Sequence, residues 1–531
     1  MALGAAQVQD RFANPREILG DRLKEGSVYR LLADEGHRLF PDDYFADLFT
    51  DSARGRPTIP ARVVATVILL QSFEGLSDRE AADRLEVDLR WQAAAGVDTG
   101  AEAFHPTLLV GMRNRLRASE RPDRLHDDTV VAAKAAGVVR HQVRALDSTP
   151  LYDSVATQDT VTQLRAAIRK LLRAAPAPLA ADIRAGLARD DDYATVGKPP
   201  CDWDDPEARA ELVDALVRDA LAALEACEGR VLDDGVAETL RLLALVAGQD
   251  VARGDDGRFA IVRGVAPDRV ISTVDTQARH GHKSRNRRFD GYKTHLSVDP
   301  ESEIICAATA TPANAADRDA VDELLDEPTV ADTGERTREE GDGAPVVVGD
   351  AAYGDGATRA RLADAGVEVM AKVPPVRNAT GGFTKDRFVV DPDAGTVTCP
   401  AAHTVPIVFG RNGGGRASFG TRCATCPLRG DCTSAAGGRQ ITIHPQESLL
   451  QRARAEQADP DWQARYRAAR PVVERKIAHY TRRLWGGRKA RVRGVERVRT
   501  DVATRCGVLN LARLAVLGLH WELGGWVVEP A

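Results

Sequence analysis

Two short apolar stretches each run into an aspartate: Val143-Arg144-Ala145-Leu146 precedes Asp147, and Val346-Val347-Val348 leads through Gly349 to Asp350. Runs of this length and β-branching predict strands, the second one fully buried. Ser148-Thr149-Pro150 follows the first acid and predicts that its strand stops there. The chain is therefore expected to build a covered sheet with carboxylates at two strand ends, where side chains reach beyond the sheet. A third acid, Glu474, falls on a predicted helix and shares one face with Tyr466 and Arg470 at four-residue spacing. Pro471 predicts a kink there, or the first turn of a new helix.

The surrounding pattern is mixed. Tyr292 to Val298 and Glu303 to Ala310 read as strands joined by the turn Asp299-Pro300-Glu301-Ser302. Helices are expected from Asp317 to Leu325 and from Ala357 to Ala365, with a strand at Val367 to Ala371 and helix again at Glu447 to Gln457 and beyond Asp459. Residues 1–125 read as helical. Pro60 opens one helix, Ser77 and Glu80 form a capping box for another, Trp91 sits on a third, and His105-Pro106-Thr107 starts a fourth. This rhythm suits a DNA-binding module and an all-helical dimerisation domain equally.

A length of 531 residues exceeds one ordinary core, so several domains or large insertions are expected. The organisation read from the sequence is a helical domain at 1–125, a core beginning at 140–375, a Cys-rich insertion at 376–445 and the rest of the core at 446–531. An acidic helical insertion at about 151–270 interrupts the first part of that core, with helices at Ala208 to Cys227 and Glu238 to Ala247 and no recognisable chemistry. No stretch has the length and apolar purity of a membrane span, and the N-terminus lacks a secretory layout, so a cytoplasmic location is expected.

Hard cations such as Mg²⁺ take oxygen ligands and keep waters, so two or three carboxylates in one cleft suffice to hold them. The formal net charge of −6 hides a local excess of positive charge. Arg467, Arg475, Lys476, Arg482, Arg483, Arg488, Lys489, Arg491, Arg493 and Arg497 crowd the end of the chain, and Arg279 to Lys293 forms a second basic stretch expected to be a loop that grips phosphates. The alternative for the first block is a solvated face or a charge-balancing partner for the acidic insertion. Cys399, Cys423, Cys426 and Cys432 include one tight Cys-x-x-Cys pair; they suit a structural zinc or reduced cysteines of a loop-rich insertion.

At four places the chain resembles bacterial insertion-sequence transposases of the DDE class: Ala145-Leu146-Asp147-Ser148-Thr149, Gly291-Tyr292-Lys293-Thr294-His295-Leu296, Val348-Gly349-Asp350-Ala351-Ala352-Tyr353-Gly354 and Arg470-Pro471-Val472-Val473-Glu474-Arg475. Arg113-Asn114-Arg115-Leu116 and Asn510-Leu511-Ala512-Arg513-Leu514 are similar to the family's leading domain and closing helix. The resemblance implies an α/β fold, an RNase H-like mixed sheet flanked by helices, with the N-terminal helical domain and two insertions. It implies Asp147, Asp350 and Glu474 as catalytic ligands of Mg²⁺ or Mn²⁺, and Lys293, Tyr466, Arg470, Arg482, Arg483 and Arg488 as DNA contacts. The family often carries a Lys about two turns after its Glu; here Thr481, Arg482 and Arg483 stand in that region. The partners implied are double-stranded transposon ends and target DNA, bound by a homodimer in the nucleoid. The activity implied is metal-dependent strand cleavage and transfer; a nuclease without transfer and an inactive, domesticated DNA-binding relative are the alternatives.

Overall fold

The structure, a computed structural model, describes residues 12–49, 58–102, 104–140, 142–284, 286–328, 344–378, 381–482 and 487–529. Its centre is a six-stranded mixed sheet built from β1 (Val143–Tyr152), β2 (Arg279–Ser284), β3 (Arg287–Val298), β4 (Ile305–Pro312), β5 (Val346–Gly349) and β6 (Glu368–Ala371). The order β4-β3-β1-β5-β6 crosses the sheet, and β2 pairs with β3. β3 is antiparallel to β1 and to β4, whereas β1, β5 and β6 run parallel. Val346, Val347 and Val348 are buried, as a strand covered on both faces requires.

β1 does not stop at Asp147. It continues to Tyr152, with Pro150 opposite Lys293 of β3, while its pairing with β5 ends at Ala145. From Leu146 to Leu151 that edge of β1 has no ladder neighbour among the described residues, so a proline is tolerated, before Tyr152 bridges Lys489. Asp147 thus sits where the strand loses its parallel partner rather than where it ends. The basic stretch before Tyr292, expected as a loop, is instead the β2–β3 hairpin. Gly291 lies where β3 crosses β1 with φ of 131°, and a Cβ there would meet the Asp153 nitrogen and the Leu151 carbonyl oxygen at 2.5 Å. Only glycine fits this approach.

The N-terminal helices form as their caps predict. The Ser77 hydroxyl accepts the Glu80 N–H at 3.3 Å, and the Glu80 carboxylate accepts the Ser77 N–H at 2.7 Å. Val64, Val67, Ile68 and Trp91 bury themselves in a core shared with Val508, Leu511 and Leu514 of the closing helix Val495–Val516. On that helix the buried Asn510 amide donates to the Ile305 carbonyl at 2.9 Å and its oxygen accepts the Ile305 N–H at 2.8 Å, pinning the start of β4. The chain ends in a hairpin, Leu519–Glu522 with Gly525–Val528, which has no counterpart in the sequence reading.

The first insertion is a helical unit with its own core of Leu164, Ile168, Leu216, Leu243 and Val246. Its helices span Thr160–Ala174, Ala177–Gly186, Pro206–Glu225 and Asp234–Gln249. The Cys-rich segment forms two three-stranded sheets around Phe388, Val397, Phe419 and Ile441. No helix among the described residues is long and apolar enough to cross a membrane.

Candidate active site

β1 delivers Asp147, and the turn immediately after β5 delivers Asp350, whose Oδ1 accepts the Ala352 N–H at 2.8 Å. The continuous helix Pro460–Tyr480 delivers Glu474. Pro471 and Arg467, the residue whose carbonyl it leaves without a donor, both lie on the exposed side, and the helix runs through the proline. Tyr466, Arg470 and Glu474 consequently keep their four-residue register. All three acids line one cleft of about 420 Å³, together with Ser148, His282, Lys283, Lys293, Asp317, Arg470 and Arg488.

Arg470 organises the acids. Its guanidinium lies 3.0 Å from Asp147 Oδ2 and 3.8 Å from Glu474 Oε1, and it donates to the Leu146 carbonyl at 3.1 Å. The other Asp147 oxygen accepts the Ser148 N–H at 2.8 Å. Burial pushes the Asp147 carboxyl above its usual range, against the opposing pull of Arg470. Burial works against the Arg470 charge too, but Asp147 more than offsets it and holds the guanidinium protonated. A positive group thus already sits between two of the acids.

Tyr466 is not on the cleft surface. It is buried against Trp462, with ring centroids 5.0 Å apart, and its hydroxyl donates to the Gly349 carbonyl at 3.1 Å. Expected as a DNA contact, Tyr466 is turned by the helix into the core, where it supports the strand end that carries Asp350. Lys293 is in the cleft, but its ammonium is held by Asp317 and by the Ala315 carbonyl, each at 2.7 Å. Arg488 also reaches the cleft, because its carbonyl accepts the Tyr152 N–H at 2.7 Å and ties its segment to the end of β1. Thr481 ends the helix, and Arg482 beyond it is exposed. Arg483 lies outside the described residues.

Asp317 is a cleft residue that no local sequence signal announces. An acid at the start of a short helix is ordinary capping chemistry, and nothing in its neighbours marks it out. His280, His282 and His295 form no cluster: His280 pairs with Asp290 at 2.6 Å, His282 lines the cleft, and His295 is buried beside Thr311. Burial lowers the His295 ring to about 4, so it is neutral at physiological pH.

The residues fit a divalent cation in the cleft, since the donors are hard oxygens and Arg470 already stands in for positive charge among them. Cys399, Cys423, Cys426 and Cys432 line a separate small cavity. There the Cys423 sulfur accepts the Arg439 backbone N–H at 3.4 Å. Among the described residues the only three metal-binding donors within 4.8 Å of one another are His520, Glu522 and Glu529 of the terminal hairpin. Neither the three carboxylates nor the four thiols are drawn that close together.

Comparison with family models finds a Transposase DDE domain over residues 398–515 and a Transposase domain (DUF772) over residues 19–115. The first match includes the four cysteines and Glu474; Asp147 and Asp350 lie outside both. No curated protein and no solved structure matches the chain.

Proposed function

Because the chain belongs to the insertion-sequence transposases of the DDE class, with the RNase H-like fold of that domain, we propose that Asp147, Asp350 and Glu474 are its catalytic acids. Its reaction is then cleavage at the terminal inverted repeats of its own element, followed by attack of the new 3′-hydroxyl on target DNA. The observation that carries this reading is the convergence of the three acids, from two strands and a helix, on one cleft rimmed by Lys283, Lys293 and Arg488.

Mg²⁺ or Mn²⁺ bound by the carboxylates would supply the Lewis acidity that activates a hydroxyl nucleophile and stabilises the leaving oxygen. The protein's own residues do the rest. Lys283 and Arg488 neutralise phosphates and set the DNA along the cleft. Arg470 and the Ser148 N–H hold the two oxygens of Asp147 in one orientation. Tyr466 braces Gly349, and through it the turn that presents Asp350. The four thiols would hold a structural Zn²⁺ in the segment that leads to the Glu474 helix. Two element ends have to be held together for transfer, which favours a homodimer with an isologous interface.

The test is incubation of the purified protein with Mg²⁺ and DNA bearing the terminal repeats that flank the gene, beside Asp147→Ala, Asp350→Ala and Glu474→Ala. Cleavage and joined product are expected from the wild type and from none of the variants. Equal cleavage by all four proteins would rule this site out, and cleavage without joined product would leave a nuclease.

A further inference from the structure

Under the cleft floor runs a line of polar contacts that the three acids do not account for. Asp317 Oδ1 takes the Lys293 ammonium at 2.7 Å, and its Oδ2 accepts the Ser148 hydroxyl at 2.9 Å. The Tyr353 hydroxyl also meets Ser148 and lies 3.4 Å from His295 Nδ1, whose Nε2 is 2.9 Å from the Thr311 hydroxyl. The line joins β1, β3, β4, the Asp350 turn and the segment after β4. Asp317 is its end in the cleft, with a side chain only 15% exposed.

We propose that Asp317 is a positioning residue for the reaction, holding Lys293 and Ser148 in the places where each acts; this rests on the transposase reading above. Two consequences follow from its bonds. Lys293 has two N–H donors occupied by Asp317 and Ala315, so its ammonium is fixed at the cleft rather than swinging on a four-carbon stem. Ser148, tied by its hydroxyl to Asp317, presents its backbone N–H to Asp147, so the same carboxylate governs the orientation of a catalytic acid one residue away. A buried or half-buried ion pair of this kind specifies geometry more than it stabilises. Asp317 also offsets part of the Lys293 charge, so this ammonium makes less than a full charge pair with DNA.

This predicts a split between binding and turnover in Asp317→Asn. The amide still accepts from Ser148 but no longer neutralises Lys293. Binding to terminal-repeat DNA should be retained or tightened, and its salt dependence should steepen by about 0.9 in log–log slope, as one more cation reaches phosphate. Cleavage should fall by about 100-fold, the scale expected when a catalytic group is misplaced by roughly an ångström. Asp317→Glu restores the charge and should return the salt slope to the wild-type value, with partial recovery of rate. Wild-type cleavage by Asp317→Asn overturns the proposal, and so does joint loss of binding and cleavage in a folded variant. Lys293→Gln covers the case in which Asp317→Asn does not fold: its cleavage should drop comparably, and an unchanged rate overturns the proposal. Asp350→Ala run alongside separates the two levels of inference. If it cleaves like the wild type, both readings fall; if it is inactive while Asp317→Asn cleaves normally, only the role of Asp317 falls.

Discussion

Asp147 and Asp128 are both half-buried aspartates, but their neighbours differ. Asp147 has Arg470 on one oxygen and a backbone N–H on the other. Asp128 accepts the Tyr44 hydroxyl at 2.7 Å and has Arg121 at 3.4 Å, while its second oxygen finds no hydrogen-bond partner among the described residues. Burial raises Asp128 to about 7. An unfolded aspartate titrates near 3.9, so the folded state binds this proton more tightly than the unfolded one. The group therefore destabilises the fold fully above about pH 7, and the penalty fades to nothing as pH falls below about 4. Asp128→Asn should raise the melting temperature by roughly 5 °C at pH 8, with a smaller gain at pH 5. A gain independent of pH would show that packing, not ionisation, is responsible.

At the level of elements, the Glu474 helix illustrates how local pattern and burial divide the work. Its four-residue spacing was plain in the sequence, and the structure keeps it because Pro471 faces solvent. The same spacing turned Tyr466 inward, which no count along the chain could foretell. Just ahead of this helix, the Cys-rich segment packs a small core of Phe388, Val397, Phe419 and Ile441 that is slight for its two sheets. Bound zinc would add folding energy directly. Purified protein should contain stoichiometric zinc by mass spectrometry, lost in the double variant Cys423→Ser, Cys432→Ser, with an earlier melting transition. Equal zinc in the variant would remove the metal from these thiols.

For the molecule as a whole, the telling feature is how the pieces are attached. The helical insertion leaves and re-enters at one neck, where the Gln158 N–H donates to the Ile271 carbonyl at 2.9 Å. Its core is separate from that of the sheet. Replacing residues 159–270 by a short Gly/Ser linker should therefore leave a cooperative melting transition and cleavage of element ends. Loss of the transition would mean that the sheet depends on the insertion for folding; loss of cleavage alone would give the insertion a part in handling DNA. The N-terminal helices are attached quite differently. They share their core with Val508, Leu511 and Leu514, so they and the closing helix are one packed body.

The sequence by itself determined the strands that lead to Asp147 and Asp350, the capped N-terminal helices, the register of Glu474 and the presence of two insertions. These rest on local signals: β-branched runs, a capping box, a period near four, and breaks in composition. Tertiary structure alone decided where β1 loses its neighbour, that the basic stretch is a hairpin, that Tyr466 braces the sheet, and that Arg488 takes a cleft position. It also brought Asp317 to Lys293 and Ser148. Each of those outcomes depends on which distant segments meet across the sheet, and a side chain's neighbours there are set by packing and pairing, not by the residues beside it in the chain.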